Sequence, residues 1–209
     1  MKIVIISDTH SQHEYLPKLP QGDILLHCGD WSVQGNIHQT GSFLDWFSSQ
    51  PHQHKIMIAG NHDFLCEREP HLFQQMLPEN ICYLEDSGVT IEGIKIWGTP
   101  HSHKFCNWAF NQSSYRLTDY YSQIPADTQI LVSHAPPYGI LDRLRDGTSV
   151  GEPELLHAIG KLDRLKLVAF GHIHESFQQT TIDGVQYFNA ALLDEKYRVR
   201  NKPWIVDFV

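Results

Sequence analysis

The 209-residue sequence has only four cysteines, Cys28, Cys66, Cys82 and Cys106, and no two of them form a Cys-x-x-Cys pair. That excludes a disulfide framework and a zinc ribbon, and it predicts reduced, mostly buried thiols in a cytoplasmic protein. Long apolar runs are also missing: no stretch approaches the ~20 residues that span a bilayer, so no membrane role is expected. The chain goes directly into Ile3-Val4-Ile5-Ile6, read as a strand, whereas a secretory leader would have a basic start and a longer apolar run. Basic residues are few, 16 Lys and Arg against 24 Asp and Glu, for a formal net charge of -8. A broad nucleic-acid surface needs the opposite balance. A small phosphate substrate remains open, because bound metal ions can bring positive charge locally. No repeat, low-complexity tract, linker or signal for an obligate protein partner interrupts the chain, so residues 1–209 read as a single domain.

Histidine is abundant, with 14 in the chain, and a hydrophobic fraction of 41% is enough for a real core. Five short apolar runs, each read as a strand buried on both faces, lead into unusual polar residues. Lys2 to Ile6 leads to Asp8 and His10, Asp23 to Leu26 to Asp30, and Lys55 to Ile58 to Asn61-His62-Asp63. Gln129 to Val132 leads to His134, and Leu167 to Phe170 to His172 and His174. Helical faces alternate with them: Phe43, Trp46 and Phe47; Leu117, Tyr120 and Tyr121; and Leu155, Ile159 and Leu162 after Glu152-Pro153-Glu154. Glu92-Gly93 and Asp183-Gly184 mark hairpin turns within Thr90–Trp97 and Thr180–Phe188. Alternating strands and helices with two hairpins predict an α/β fold, a mixed-sheet sandwich flanked by helices.

In open α/β sheets functional groups gather beyond the carboxyl ends of strands. Here those ends carry oxygen and imidazole groups without thiolate, a donor set that suits Mn, Fe, Zn, Co or Ni. Asp8-x-His10 and His172-x-His174 are read as extended segments whose alternate side chains share one side. Glycine precedes a candidate ligand at Gly29, Gly60 and Gly171, where a missing Cβ allows a tight turn and close approach.

In this order, Asp8-x-His10, Gly29-Asp30, Gly60-Asn61-His62-Asp63, Ser133-His134 and Gly171-His172-Ile173-His174 resemble the five-motif signature of calcineurin-like metallophosphoesterases. Gly98-Thr99-Pro100, Trp108-Ala109-Phe110-Asn111, His134-Ala135-Pro136-Pro137-Tyr138-Gly139 and Phe188-Asn189-Ala190-Ala191 extend the likeness to the class III phosphodiesterase group. The resemblance implies a four-layer αββα sandwich with two mixed sheets and a site for two divalent ions, with Mn favoured. It implies Asp8, His10 and His174 at one ion, Asn61, His134 and His172 at the other, and Asp30 bridging. His62 would face the substrate as general acid, with Asp63 to orient it or simply to cap the loop.

The implied activity is hydrolysis of small phosphodiesters such as cyclic nucleotides, by a metal-activated hydroxide with His62 protonating the leaving oxygen. The alternatives are a nucleotide-binding scaffold or sensor with weak turnover, and a nuclease. Asp30 is followed by Trp31-Ser32-Val33, without the arginine that protein phosphatases of the superfamily place there. Asn61, His62, Trp108 and Phe110 are candidate substrate contacts, with Trp108 and Phe110 equally readable as core. His27 reads as core or as a support behind the ligands, and His101 and His103 as solvated loop. His13, His38, His52, His54, His71 and His157 read as surface.

Overall fold

The computed structural model describes residues 1–208. In chain order the elements are β1 (Lys2–Ile6), β2 (Ile24–His27), α1 (Ile37–Ser48), β3 (His54–Met57), α2 (Phe64–Arg68), α3 (Pro70–Met76) and β4 (Ile81–Tyr83). There follow β5 (Ser87–Ile91), β6 (Ile94–Thr99), β7 (Ser102–His103), β8 (Asn111–Gln112), α4 (Ser114–Tyr121), β9 (Ile130–Ser133) and α5 (Pro153–Ile159). The last strands are β10 (Leu167–Phe170), β11 (Gln178–Ile182), β12 (Val185–Asn189) and β13 (Trp204–Asp207).

One sheet runs β13-β1-β2-β3-β4 and the other β11-β12-β10-β9-β6-β5. Each is a parallel core with antiparallel additions: β13 on β1, β11 on β12 and β5 on β6. Period-2 alternation along the strands sets the layers. Ile3, Ile5, Ile24, Leu26, Ile130 and Val132 pack between the two sheets. The intervening Val4, Ile6 and Leu25 pack with Phe43, Leu44 and Phe47 of α1. On the other sheet Leu131, Val168 and Phe170 pack with Leu117, Tyr121, Leu155 and Ile159 of α4 and α5. Three apolar layers thus separate helix, sheet, sheet and helix, as the implied four-layer sandwich requires. Each fully buried aliphatic side chain contributes about 1.5–3 kcal/mol.

Both hairpins turn where expected. Glu92-Gly93 and Asp183-Gly184 all have positive φ, 48°, 82°, 49° and 81°, the type I′ pattern that matches strand twist. Helix α1 starts at Asn36, whose side-chain oxygen accepts from the N–H groups of His38 and Gln39 at 3.1 and 3.0 Å. Helix α5 ends at Ile159, so Leu162 joins the same apolar cluster from beyond the helix. Strands β4, β7, β8 and β13 and the helices α2 and α3 have no counterpart in the sequence reading. All but α3 are two to five residues long, too short for periodicity to declare them.

The two sheets meet at one edge. Ser7, just past β1, bridges to Ala191, just past β12, and accepts the Leu192 N–H at 3.0 Å. The carboxyl ends of β1, β2 and β3 therefore open beside those of β9 and β10.

Candidate metal centre

At that edge the strands give way to left-handed backbone. Asp8, His10, Asp30 and His172 have φ of 54°, 38°, 58° and 67°. The expected extended Asp-x-His and His-x-His segments are thus replaced by kinked turns, and the side chains converge because the chain bends, not because a strand alternates. Non-glycine residues in this region are strained, a condition that clusters at functional sites. Neighbouring chain holds the turns. The N–H groups of Asp8, His10 and Ser11 bond the carbonyls of Gly29, Asp30 and Trp31 at 3.0, 3.0 and 2.8 Å. Close approach explains two glycines: a Cβ at Gly171 would overlap the Asp8 carboxylate, and one at Gly60 the Asp30 carboxylate.

Two groups of donors assemble, Asp8–His10–His174 and Asp30–His134–His172, with ligand atoms in each within 4.8 Å of one another. Asp30 Oδ2 lies 3.8 Å from His10 Nε2 and 3.4 Å from His134 Nε2, between the groups. Its other oxygen accepts the His62 N–H at 2.8 Å, which fixes the carboxylate. Asn61 Oδ1 is 2.9 Å from His134 Nε2, on the second group. The N–H of His172 donates to both Asp8 oxygens, at 3.1 and 3.0 Å.

The histidines are aimed by backbone carbonyls. Nδ1 of His10, His134 and His174 meets the carbonyls of Ser32, Cys28 and Asp194 at 3.0, 2.9 and 3.0 Å. A carbonyl only accepts, so each Nδ1 carries the proton and each Nε2 is turned to the centre. Such supports set ligand tautomer and orientation.

The charge distribution is that of a cation site. Burial would raise the Asp8 carboxyl, but its bond to His174 and the charges of His174 and His134 hold it well below the usual range. Burial likewise opposes ionisation of Asp30, yet His134 keeps it well below the ordinary carboxylate value. Burial lowers His134, but Asp30 outweighs it and raises the ring to about 9. His174 also reaches about 9, because its bond to Asp8 overcomes burial. Burial carries His10 and His172 down to about 4. Two carboxylates, two imidazoliums and two neutral imidazoles, all of hard or borderline donor type, fit divalent ions that would replace the two shared protons.

His62 stands over the centre, its ring 4.7 Å from that of His10 and its Nδ1 2.7 Å from the Val33 carbonyl. That carbonyl, not Asp63, orients the ring. Asp63 instead organises the loops: its oxygens accept the N–H groups of Asp30, Gly60 and Ser32 at 2.8, 2.8 and 3.1 Å, and the Ser32 hydroxyl at 2.7 Å. The expected orienting role is therefore corrected, because every acceptor position faces a loop donor. Burial and the nearby Asp30 charge push this carboxyl up to about 8 against those bonds.

Trp108 is half-buried and packs on His62 with ring centroids 4.1 Å apart. Phe110, 3% exposed in the layer under α1, does not face the cleft; its φ of 55° and its N–H bond to Glu67 turn it inward. The cleft is lined by His10, Asp30, Asn61, His62, His172 and His174, with Phe105, Trp108 and Tyr197 at its rim.

Other histidines also differ from expectation. His101 is buried, stacked on Tyr120 and bonded to Asp86. His13 and His52 are buried as well, against Ser42 and the Pro20 carbonyl. His27 is a core residue that supports the site: its Nδ1 accepts the Gly29 N–H at 3.2 Å and its Nε2 meets Thr9 at 3.1 Å. His103 joins Glu152 at the start of α5.

Residues 193–201, unremarked in the sequence reading, supply the Asp194 carbonyl behind His174 and bring Tyr197 to 4.7 Å from the His10 ring. Asn189, singled out in the sequence only as part of Phe188-Asn189-Ala190-Ala191, gains a role here: its buried amide donates to the Ile173 carbonyl at 2.9 Å and holds the turn between His172 and His174.

A family model described as calcineurin-like phosphoesterase matches residues 1–176. Human metallophosphoesterase domain-containing protein 1 is 32% identical over 99% of this chain and 70% of its own length. The UPF0046 protein C25E10.12 of Caenorhabditis elegans is 34% identical over 99% of this chain and 80% of its own. Among solved structures, TT1561 of Thermus thermophilus superposes with a TM-score of 0.64 at 16% identity, over 90% of this chain and 88% of that one. That last likeness concerns the fold.

Proposed function

The chain belongs to the calcineurin-like phosphoesterase family, which hydrolyses phosphoesters with bound metal, and from this we propose a two-metal phosphodiesterase acting on small diesters such as cyclic nucleotides. The observation that carries the reading is the Asp30 carboxylate, set between an Asp–His–His group and a His–His–Asn group with His62 above it. Asp8, His10 and His174 would hold one divalent ion, Asn61, His134 and His172 the other, with Asp30 shared. Two such ions, Mn the leading choice, would polarise the phosphoryl oxygens and make water a better nucleophile at neutral pH.

The protein's own groups do the rest. The carboxylates of Asp8 and Asp30 do not cancel two divalent charges, so the loaded centre stays positive and draws a phosphate. His62 donates from Nδ1 to the Val33 carbonyl and so turns Nε2 to the cleft; as an imidazolium, having taken up a second proton from solvent there, it would pass that proton to the leaving oxygen and return to the neutral ring. A poor alkoxide leaving group needs that proton most, and diesters of sugars have such groups. Trp108 covers one side of His62, while Phe105, 69% exposed at the rim, offers a flat face to a base. Base–aromatic stacking contributes about 1–3 kcal/mol. The four free thiols suit a reducing compartment, and we place the protein in the cytoplasm.

The test is a substrate panel on chelated protein reloaded with single metals: a nitrophenyl diester, the matching monoester, and cyclic nucleotides. The expected result is kcat/KM for diesters above the monoester by at least about tenfold. A monoester preference would overturn the diesterase assignment.

A further inference from the structure

We propose that a groove beside the metal centre binds a second phosphate of the substrate through Arg143, a substrate class that rests on the phosphodiesterase reading. A groove of about 820 Å³ adjoins the metal cleft: His174, Glu175 and Glu195 line both. A diester seated at the ions therefore extends into it.

Arginine is concentrated there, beside three carboxylates of the same lining, Glu175, Asp194 and Glu195. Four of the seven arginines, Arg143, Arg145, Arg198 and Arg200, lie in two segments, 141–150 and 193–201, in a chain of net charge -8. Arg143, Arg145 and Arg200 line the cavity. Two of these three are engaged: Arg145 pairs with Glu195, and Arg200 Nε lies 3.5 Å from Asp194. Among the described residues no carboxylate lies within 4.0 Å of the Arg143 guanidinium.

Its backbone, by contrast, is fixed. The Arg143 N–H donates to Ser176 Oγ at 2.9 Å, and that hydroxyl donates to the Arg143 carbonyl at 2.7 Å. Ser176 is two residues, at most about 7 Å of chain, from His174. A fork-shaped cation on a rigid anchor, free of internal partners and beside the reacting phosphate, matches bidentate phosphate binding. Phe177 and Ile182 supply apolar wall for the body of the molecule between the two phosphates.

The experiment compares thymidine 5′-nitrophenyl phosphate with the same diester carrying a 3′-phosphate, on metal-loaded wild type and Arg143→Gln. The wild type should favour the phosphorylated diester by about tenfold or more in kcat/KM, and the preference should shrink as salt rises. Arg143→Gln should erase most of that preference while leaving the simple diester within about twofold; Arg143→Lys should retain part of it. Calorimetry provides a readout without turnover: thymidine 3′,5′-bisphosphate should bind wild type more tightly than thymidine 5′-phosphate, and Arg143→Gln should lose the difference. Equal rates for both diesters, or a preference that survives Arg143→Gln, would overturn the phosphate subsite. Turnover of neither diester with any metal would instead defeat the diesterase reading, and bisphosphate binding no tighter than monophosphate would then defeat the subsite as well.

Discussion

Four imidazoles of the centre, those of His10, His62, His134 and His174, have Nδ1 tied to a backbone carbonyl and Nε2 turned inward. Three of them sit in the Asp8–His10–His174 and Asp30–His134–His172 groups, and His62 is the one to which the proposed mechanism gives the substrate. His62→Ala should keep the metals and the fold while lowering kcat on alkyl diesters by about 10²–10⁴. The loss should be much smaller for a nitrophenyl leaving group, which needs little protonation; equal losses would mean positioning, not proton transfer. Asp63 differs in kind. Asp63→Asn would turn an amide toward three loop N–H groups and leave one or two without an acceptor, at about 1–3 kcal/mol each. Thermal melting should fall by roughly 2–12 °C for each N–H left without an acceptor, with metal lost from Asp30's neighbourhood, in contrast to the fold-neutral His62→Ala. The ligand-type residues were readable from the sequence because each follows an apolar run, His134 directly and the others across a short turn. The carbonyls that aim them were not, since any residue supplies a carbonyl, and neither were buried His13, His52 and His101, whose partners lie far away in sequence.

Four of the five ligand-bearing turns are built alike, a parallel strand followed by a left-handed residue or a glycine at or just before the functional side chain, whereas His134 directly follows β9. Gly171 is the most crowded of them, packed on Ser7 and the Asp8 carboxylate. Gly171→Ala should displace Asp8, reducing bound metal by about one ion per chain and activity by about 10². Unchanged metal content by elemental analysis would show that the turn absorbs a methyl group. Hairpins β5–β6 and β11–β12 could be read directly, because two residues of positive φ announce themselves as Glu-Gly and Asp-Gly. Strand β13 was not legible: Trp204–Asp207 pairs antiparallel with β1 at the far end of the sequence, and no local pattern specifies so distant a partner. The segment 193–201 was hidden for a related reason, its Tyr197 reaching the cleft through a residue of φ 57°.

Across the whole molecule, metal binding and folding are both linked to protons at the centre. His134 and His174, raised to about 9, each carry a proton at neutral pH that a metal must displace. Metal uptake near pH 7 should therefore release about two protons per chain, and affinity should rise with pH and level off above about 9. Calorimetry in buffers of different ionisation enthalpy counts those protons. The same shifts bear on stability. Their folded values lie above the unfolded value of about 6.5, so their contribution is complete below that pH and is lost as pH rises through about 9. Chelated protein should accordingly melt lower at pH 10 than at pH 7, and metal-loaded protein should not follow. The two-metal arrangement itself is tested by titrating Mn into fully chelated protein while phosphodiester turnover and bound metal are measured together. Turnover should be absent at the start, rise with added metal and saturate at two ions per chain, with Asp30→Ala binding neither ion tightly; full turnover by the chelated protein would show that no such centre drives the reaction.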